Sequence, residues 1–131
     1  EPDLLEIQEA ITWASHLVFF YPIWWGEMPA LLKGFFDRIL LPGFAFKYRE
    51  GSPLWDRLLA GRSARVFTTI DTPPWYFRWA YGRAGHRVMK SNILDFCGVR
   101  PVEIHSLGSV RKSTPEKRAR WIARVRSLAA R

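Results

Sequence analysis

The spacing of apolar and polar positions changes several times along the chain, and each spacing predicts a type of secondary structure. From Asp3 to Ala14 the apolar residues recur every three or four positions, which is typical of an amphipathic helix packed against a sheet. From His16 to Tyr21 the chain is almost entirely apolar, which predicts a strand covered on both faces. Pro22 ends this strand, and a second helix is expected from about Met28 to Leu40.

The middle of the chain is less regular. Within a segment rich in Pro, Gly and aromatic residues, we expect a short extended stretch over Phe44–Tyr48 and one or two helical turns over Leu54–Leu59. Ser63–Ile70 is rich in β-branched residues and predicts a second strand. Asp71–Arg83 is predicted to be a loop or a broken helix, because Pro73-Pro74 prevents immediate helix formation.

The last third of the chain carries clear signals for the ends of its elements. A helix is predicted from Gly85 to Phe96, with Gly98 as its left-handed cap. A third strand follows over Arg100–Leu107. Thr114 then provides an N-cap and Pro115 the first helical position of a helix that extends to about Ala130. The resulting order of helices and strands predicts an α/β fold, a parallel sheet with helices on both faces.

Charge changes this picture little. The chain has 131 residues and a formal net charge of +8, enough length for one domain and a basic excess that nucleic-acid binders often carry. Eight basic residues lie between Arg111 and Arg131 against Glu116 alone. We therefore expect a solvated face of the last helix and no nucleic-acid partner.

The single cysteine and the hydropathy bound the environment of the protein. Cys97 cannot form an internal disulfide, and we expect a buried structural thiol and a cytoplasmic location. No apolar stretch approaches the roughly 20 residues of a membrane span, and no spacing suggests a metal site. His16 and His105 fall on predicted strands, where structural roles are expected.

The most informative stretch runs from Tyr21 to Arg38, where a strand end, an aromatic turn and a helix start follow one another directly. The turn Pro22–Gly26 would expose backbone N–H groups and indole faces at the carboxyl end of a strand, where open α/β sheets bind ligands. A plain core role for these aromatic residues is the alternative.

The order of residues from Tyr21 to Arg38, YPIWWGEMPALLKGFFDR, resembles the flavin-binding junction of the flavodoxin-like NAD(P)H:quinone oxidoreductase family. The resemblance covers essentially the whole chain. It implies a flavodoxin-like fold in which residues 1–131 form the C-terminal part of a single domain, with strands three to five. The N-terminal βαβ unit, with its phosphate-binding loop, is expected to be absent from this chain.

The resemblance also implies a flavin, FMN or FAD, held between two segments. Thr68 and Thr69 match a Thr-Thr-Gly-Gly-like loop of the family, in which Ile70 and Asp71 replace the glycines. Asp71 could equally be a turn-forming side chain. The implied cofactor-binding residues are Pro22, Ile23, Trp24, Trp25, Gly26, Thr68, Thr69, Ile70, Asp71 and Thr72.

Two further residues are implied to be catalytic. Tyr76 lies at the spacing of a family tyrosine close to the flavin, whereas Gly82 stands where the family has a histidine. His86, four residues later, either takes that role through a shifted loop or is a surface residue at a helix start. The aromatic residues around Tyr76 would form the slot for nicotinamide and quinone, a dimer interface or simple core.

By resemblance, the chain is most of a flavoprotein that passes a hydride from NAD(P)H to a quinone or a similar small acceptor, as a homodimer whose second subunit completes the slot. The alternative is a non-catalytic flavodoxin-like module whose basic C-terminal helix binds a partner or an acidic surface.

Overall fold

A computed structural model describes residues 1–130, so Arg131, the last of the basic residues counted above, lies outside the described part. Outside the segment between α2 and β4, the helices and strands follow the order that the sequence pattern predicts. Their bounds are α1 Pro2–Trp13, β1 His16–Pro22, α2 Ala30–Ile39, β2 Phe46–Tyr48, β3 Trp55–Arg57, β4 Ser63–Ile70, α3 Pro74–Trp79, α4 Ala84–Arg87, a π-helical segment Val88–Leu94, α5 Asp95–Cys97, β5 Val102–Gly108 and α6 Pro115–Ala129.

The three long strands form one parallel sheet in the order β1-β4-β5. His16 pairs with Ser63 at the start of β1, and Ile70 pairs with Gly108 at the end of β4. All three strands therefore end at one edge of the sheet. The predicted parallel α/β arrangement is confirmed.

One face of the sheet carries the main hydrophobic core. Phe19 of β1 meets Phe36 of α2 edge to face, with ring centroids 5.4 Å apart, and Val66 of β4 is completely buried. Met89 and Leu94 cover the same core from the helical stretch before β5. Burial of such side chains contributes about 1.5 to 3 kcal/mol each, so this face dominates the stability of the fold.

The opposite face is less covered than the sequence predicts. Side chains alternate along β1, so that Val18 and Phe20 point away from α2, and both are exposed. Helix α6 lies on this face. A cavity of about 750 Å³ nevertheless remains between β1 and the α6 residues Val125 and Leu128. The expectation that β1 is covered on both faces is therefore wrong for the described residues.

A small antiparallel sheet replaces the helical turns predicted for Leu54–Leu59. Trp55 pairs with Tyr48 across β2 and β3, donates its indole N–H to the carbonyl oxygen of Phe96 over 2.8 Å and stacks on the ring of Phe96. This contact with a distant residue outweighs the local helical tendency, which is why the prediction is wrong.

Helix α2 begins two residues later than predicted. Met28 precedes a proline, which disfavours helical dihedral angles, and Pro29 is itself extended at the N-cap with ψ of 144°. The prediction for Asp71–Arg83 is confirmed, because α3 begins only at the second proline, Pro74, and ends at Trp79.

The helix predicted over Gly85–Phe96 is present but contains a π-helical segment. The π-helical segment, with its wider hydrogen-bond spacing, buries Met89 and Leu94. Gly98 caps the stretch with φ of 99°, as expected, and a Cβ there would lie 2.8 Å from Cβ of Arg57.

The C-terminal helix confirms its sequence signals. The Thr114 side chain accepts a hydrogen bond from the backbone N–H of Lys117 over 3.2 Å, and Pro115 occupies the first helical position. Arg65 of β4 donates to the Leu128 carbonyl oxygen and thereby ties the end of α6 to the sheet. None of the helices within residues 1–130 has the length and apolar character needed to span a membrane.

Candidate cofactor site

The end of β1 continues into a tight turn that presents two indoles to solvent. We call residues 22–26 the tryptophan turn. The backbone N–H of Trp24 donates to the Glu27 carbonyl oxygen over 2.9 Å, and the backbone N–H of Glu27 donates to the Trp24 carbonyl oxygen over 3.0 Å. Trp25 is fully exposed and has a φ of 54°, a conformation that large side chains rarely adopt. Such strain persists only where the surroundings fix it, and it is concentrated at functional sites.

The surroundings of the tryptophan turn fix it closely. A Cβ on Gly26 would lie 2.9 Å from the ring of Tyr81. A Cβ on Gly85, in the first turn of α4, would lie 2.5 Å from the carbonyl oxygen of Gly26 and 3.1 Å from Cα of Glu27. The start of α4 is therefore pressed against the turn, which only a glycine at position 85 allows.

The end of β4 forms the second wall, and we call residues 68–72 the threonine segment. The Ile23 N–H donates to the Thr69 carbonyl oxygen over 2.7 Å, which joins the two walls directly. Thr69 is exposed, whereas Thr68 and Ile70 are buried. The Thr68 side chain thus lies behind the wall, and Thr69 presents its side chain to solvent.

A small polar cluster lies behind the threonine segment. The Thr68 hydroxyl oxygen is 3.3 Å from Nε2 of His86 and 3.0 Å from the hydroxyl oxygen of Ser106, and the latter is 3.1 Å from the same Nε2. Phe77 contacts the imidazole edge to face. His86 is therefore an inward-facing group at the start of α4, and the surface position considered for it is wrong.

The environment of His86 keeps its ring neutral. Burial and, to a smaller extent, the positive charge of Arg83 together lower its pKa from 6.5 to about 4. At neutral pH the ring can exchange hydrogen bonds but carries no charge. Near the other wall, burial and the charge of Glu27 raise the pKa of Tyr21 to about 12, so this phenol also stays neutral.

Tyr76 lies on α3, beyond the threonine segment, and is about half exposed. Its ring meets those of Trp75 and Tyr81 edge to face, at centroid distances of 5.6 and 5.8 Å. Of the aromatic residues in this region only Phe77 is buried, while Trp75, Trp79 and Tyr81 are exposed. A purely core role is therefore excluded for most of them.

Asp71 is engaged by the loop after β5. Its carboxylate accepts the backbone N–H of Arg111 over 2.8 Å and lies 3.3 Å from Nε of the same arginine. The partner lies 40 positions along the chain, so the contact ties the threonine segment to the loop after β5 and is not a local turn bond. The two roles expected for Asp71, ligand contact and turn formation, both stay predictions. Glu27 accepts the backbone N–H of Met28 over 2.9 Å, just before α2 begins.

Backbone donors at this edge fit the polar rim of a flavin ring. Within residues 1–130, the N–H groups of Trp25, Gly26, Asp71 and Thr72 donate to no protein acceptor. They flank an edge with exposed indole faces. A flat ring with acceptor atoms at its rim matches both features, since stacking satisfies the faces and the amides satisfy the rim.

Sequence reasoning missed Gly85 and Ser106. The only sequence signal for Gly85 was its position beside a predicted helix start, and Ser106 looked like an ordinary strand residue. Cys97 is buried as expected, and burial raises its pKa to about 11. No group of residues in the described part of the chain could hold a metal ion.

Comparison with known proteins places this arrangement among its relatives. A family model described as the flavodoxin-like fold matches residues 1–129. Rat ribosyldihydronicotinamide dehydrogenase [quinone] is 29% identical over 96% of this chain and 57% of its own length. The crystal structure of Smu.1420 from Streptococcus mutans UA159 superposes with a TM-score of 0.86 and 33% identity, over 98% of this chain and 66% of that one.

The NAD(P)H:quinone oxidoreductase from Methanothermobacter marburgensis superposes with a TM-score of 0.78 and 28% identity, over 97% of this chain and 63% of that structure. The chain spans about half the length of the curated relatives it matches, 53% and 57% for two of them. The match to the family model nevertheless covers almost every residue. The chain therefore belongs to the flavodoxin-like fold family, with relatives named as NAD(P)H:quinone oxidoreductases, as the resemblance of its sequence implied.

Proposed function

We propose that this chain forms part of a flavin-dependent oxidoreductase that transfers a hydride from NAD(P)H to a quinone or a similar small acceptor. The observation that carries the proposal is the tryptophan turn, with its strained and exposed Trp25 and the free N–H groups of Trp25 and Gly26. The relatives named as quinone oxidoreductases support the reaction class. When bound, a flavin would supply the hydride-transfer chemistry, and the residues of the two walls would hold and orient it.

The two walls would hold FMN or FAD by different means. The tryptophan turn would offer the Trp24 and Trp25 indole faces, with Pro22 and Ile23 fixing the turn to the strand. The threonine segment would offer the Thr69 hydroxyl and the N–H groups of Asp71 and Thr72 to the ring edge. Thr68 and Ile70, whose side chains are buried, would contribute through their backbone and by positioning the segment.

We propose that Tyr76 and His86 manage protons beside the cofactor. The Tyr76 phenol is exposed and can donate a hydrogen bond to a ring that has gained negative charge. His86 is neutral because of its lowered pKa, so it can hold or release a proton only through the hydrogen bonds of its ring nitrogens. This limits His86 to a proton relay or positioning role, since a cationic imidazole is not available at neutral pH.

We further propose a homodimer in the cytoplasm. Exposed aromatic side chains on and after α3, among them Trp75 and Tyr81, would pack against a second subunit that completes the slot over the flavin. A single buried thiol suits a reducing compartment.

Flavin titration tests the proposal. The protein is mixed with FMN and with FAD, and quenching of flavin fluorescence is followed, then oxidation of NADH and NADPH with a simple quinone as acceptor. Micromolar flavin affinity and acceptor-dependent turnover are expected. The proposal of a flavin-dependent enzyme would be refuted if neither this chain nor a longer form of it took up flavin.

A second candidate function is a non-catalytic flavodoxin-like module. The observation in its favour is the exposed basic face of α6, which includes Arg118, Arg120, Arg124 and Arg126. Under this alternative the protein would take up no flavin and would bind an acidic partner with an affinity that falls steeply as salt is raised.

A further inference from the structure

A cavity of about 410 Å³ lies beside the threonine segment, between α3, the start of α4 and the carboxyl ends of β4 and β5. Its volume is within the range of about 300 to 1,000 Å³ that is usual for small-molecule sites. Four of its lining residues also belong to the proposed flavin site or its supports: Ile70, Trp75, His86 and Ser106. The side chains that give the cavity its chemistry are Trp75, Arg78, Trp79, Arg83, His86 and Ser106, and we call it the arginine cavity.

The arginine cavity is positively charged. Arg78 and Arg83 both line it, and neither forms an ion pair with a carboxylate within residues 1–130. No Asp or Glu belongs to its described lining. The field of Arg83 is felt inside, since it helps to lower the pKa of His86. Two uncompensated guanidinium groups around one hollow favour an anion, and guanidinium groups match phosphate oxygens particularly well.

The backbone at Arg83 is strained and fixed by hydrogen bonds on both sides. Arg83 has a φ of 51°, in the left-handed region that is uncommon for residues other than glycine. Its N–H donates to the Phe77 carbonyl oxygen over 3.2 Å, and its own carbonyl oxygen accepts the Arg87 N–H over 3.1 Å. This strained residue directly precedes α4 and is fixed from both sides, which is a further sign of a functional position.

The cavity also offers aromatic surface. Trp75 and Trp79 are 64% and 77% exposed, and the Arg78 guanidinium lies 5.5 Å from the centre of the Trp79 ring. An indole face next to a cation suits a flat, electron-rich ring that carries a negative group. Nucleotides combine a flat base with phosphates in one molecule.

We propose that the arginine cavity binds the adenosine-phosphate portion of NAD(P)H, with the phosphates on Arg78 and Arg83 and the adenine against Trp79. The inference rests on the proposed function for the choice of NAD(P)H among nucleotides. Ile70 belongs both to this cavity and to the threonine segment, so a dinucleotide held here has its other end beside the proposed flavin site. FAD carries the same adenosine-phosphate portion, so binding of NAD(P)H has to be distinguished from binding of FAD.

The first measurement needs no flavin. ADP-ribose, which lacks the nicotinamide, is titrated into the protein at fixed ionic strength while tryptophan fluorescence is followed. Arg78→Met with Arg83→Met is compared with Arg124→Met and Arg126→Met, which remove the same charge from the exposed face of α6. We expect at least tenfold weaker binding for the first pair of substitutions and an unchanged Kd for the second.

Equal binding by both double variants would overturn the proposal. So would the absence of a saturable change below about 10 mM ligand, a Kd that corresponds to about 2.7 kcal/mol of binding free energy. Circular dichroism melts check that each double variant is folded, which is expected because all four arginines are exposed. Trp79→Leu provides a second route, and it should weaken ADP-ribose binding while leaving inorganic pyrophosphate binding unchanged.

The second measurement distinguishes NAD(P)H from FAD as the occupant of the arginine cavity. ADP-ribose is titrated in the presence of saturating FMN and then of saturating FAD. Binding that persists with both supports NAD(P)H as the occupant. Competition by FAD alone would assign the cavity to the cofactor and overturn the assignment to NAD(P)H. A protein that takes up no flavin would refute the proposed function, whereas the ADP-ribose titration would still decide whether the cavity binds adenosine phosphates.

Discussion

The two walls of the candidate cofactor site lie at the same edge of one sheet but are held in place by different contacts. The tryptophan turn is exposed, strained at Trp25 and held by backbone contacts. The threonine segment is largely held by its side chains, since Thr68 bonds to His86 and Ser106 and Asp71 bonds to Arg111. The first wall exposes its side chains to a ligand because its backbone is fixed, whereas the second uses most of its side chains to fix itself.

The difference predicts where each wall can be changed without loss of the fold. In the tryptophan turn, the exposed Trp24 and Trp25 side chains can be replaced with little effect on stability and a large effect on ligand binding, whereas Ile23 is part of the core. In the threonine segment the same kind of change should act first on stability. The site would therefore depend on two separate sets of residues, and they can be distinguished by measurement.

The largest effect is expected at the contact that braces the tryptophan turn. Gly85→Ala would place a Cβ 2.5 Å from the backbone carbonyl oxygen of Gly26, and neither backbone can move without breaking the turn. We expect a loss of about 2 to 3 kcal/mol in the free energy of unfolding, measured in urea, as for other overpacked sites.

Gly34→Ala is the matched control. A Cβ at this position in α2 would meet nothing within 4 Å. Alanine should therefore stabilise the helix by about 0.5 to 1 kcal/mol. If Gly85→Ala proved as stable as the wild-type protein, the turn would not be braced by α4, and the contrast between the walls would fail.

The next effect is the pH dependence of the free energy of unfolding that arises from His86, which contacts the threonine segment. The folded-state pKa of about 4 lies below the ordinary 6.5, so the unfolded chain binds more protons between these values. This contribution to stability is complete above about pH 6.5 and is lost as the pH falls toward 4. We expect about 1 to 2 kcal/mol, allowing for partial solvent exposure of the ring.

His86→Gln would remove this dependence while keeping a side chain that can form hydrogen bonds. Unfolding free energies of both proteins, measured at steps from pH 7 to pH 4, should converge as the pH falls. Curves that stay parallel over the whole range would show that His86 titrates normally and is not held neutral by its surroundings.

Trp25→Asn tests the exposed wall. Asparagine tolerates the left-handed conformation better than tryptophan, and no packing is lost because Trp25 is fully exposed. Stability should be unchanged or slightly higher, whereas flavin affinity should fall about tenfold, or about 1.4 kcal/mol, through lost stacking. Fluorescence titration measures the affinity.

Trp13→Ala is its control, since Trp13 is an exposed tryptophan on α1, away from the sheet edge, and its removal should leave flavin affinity unchanged. Equal losses in the two variants would mean that the tryptophan turn has no special part in binding.

The smallest effect is expected at Asp71. Asp71→Ala removes an exposed contact to Arg111 and should cost about 0.5 kcal/mol, as surface ion pairs usually do. Hydrogen exchange of the Arg111 amide, the donor in this contact, should become faster. Asp37→Ala, which removes an exposed pair with Lys33, should cost a similar amount without changing exchange at Arg111.

Much of the fold could be predicted because its signals are local. Ser63–Ile70 was predicted with the same bounds as β4, since β-branched residues between a glycine and a prolyl loop leave few alternatives. The Thr114-Pro115 start of α6 and the Gly98 cap also depend on neighbouring residues alone. The tryptophan turn was found from its position at a strand end, whereas the threonine segment was implied by the resemblance to the family.

The errors arose where distant contacts decide the structure. Leu54–Leu59 has a helical pattern, but the Trp55 indole finds its partner in Phe96, 41 positions away, and the segment becomes a strand. The π-helical segment Val88–Leu94 lies within a stretch whose apolar spacing predicts an ordinary helix, and no local pattern in it signals the wider turn. His86 was placed on the surface as one alternative because its partners, Thr68 and Ser106, lie on two separate strands.

By itself, the sequence determined the order of the elements, the parallel sheet and the two segments at its carboxyl edge, because hydrophobic spacing and capping residues act over a few positions. Only the tertiary structure decided what those segments can do. It pressed Gly85 against Gly26, turned His86 inward with a lowered pKa and gathered Arg78 and Arg83 around one cavity. The reason is physical: packing, burial and uncompensated charge depend on distances between residues far apart in the chain, and those distances exist only once it has folded.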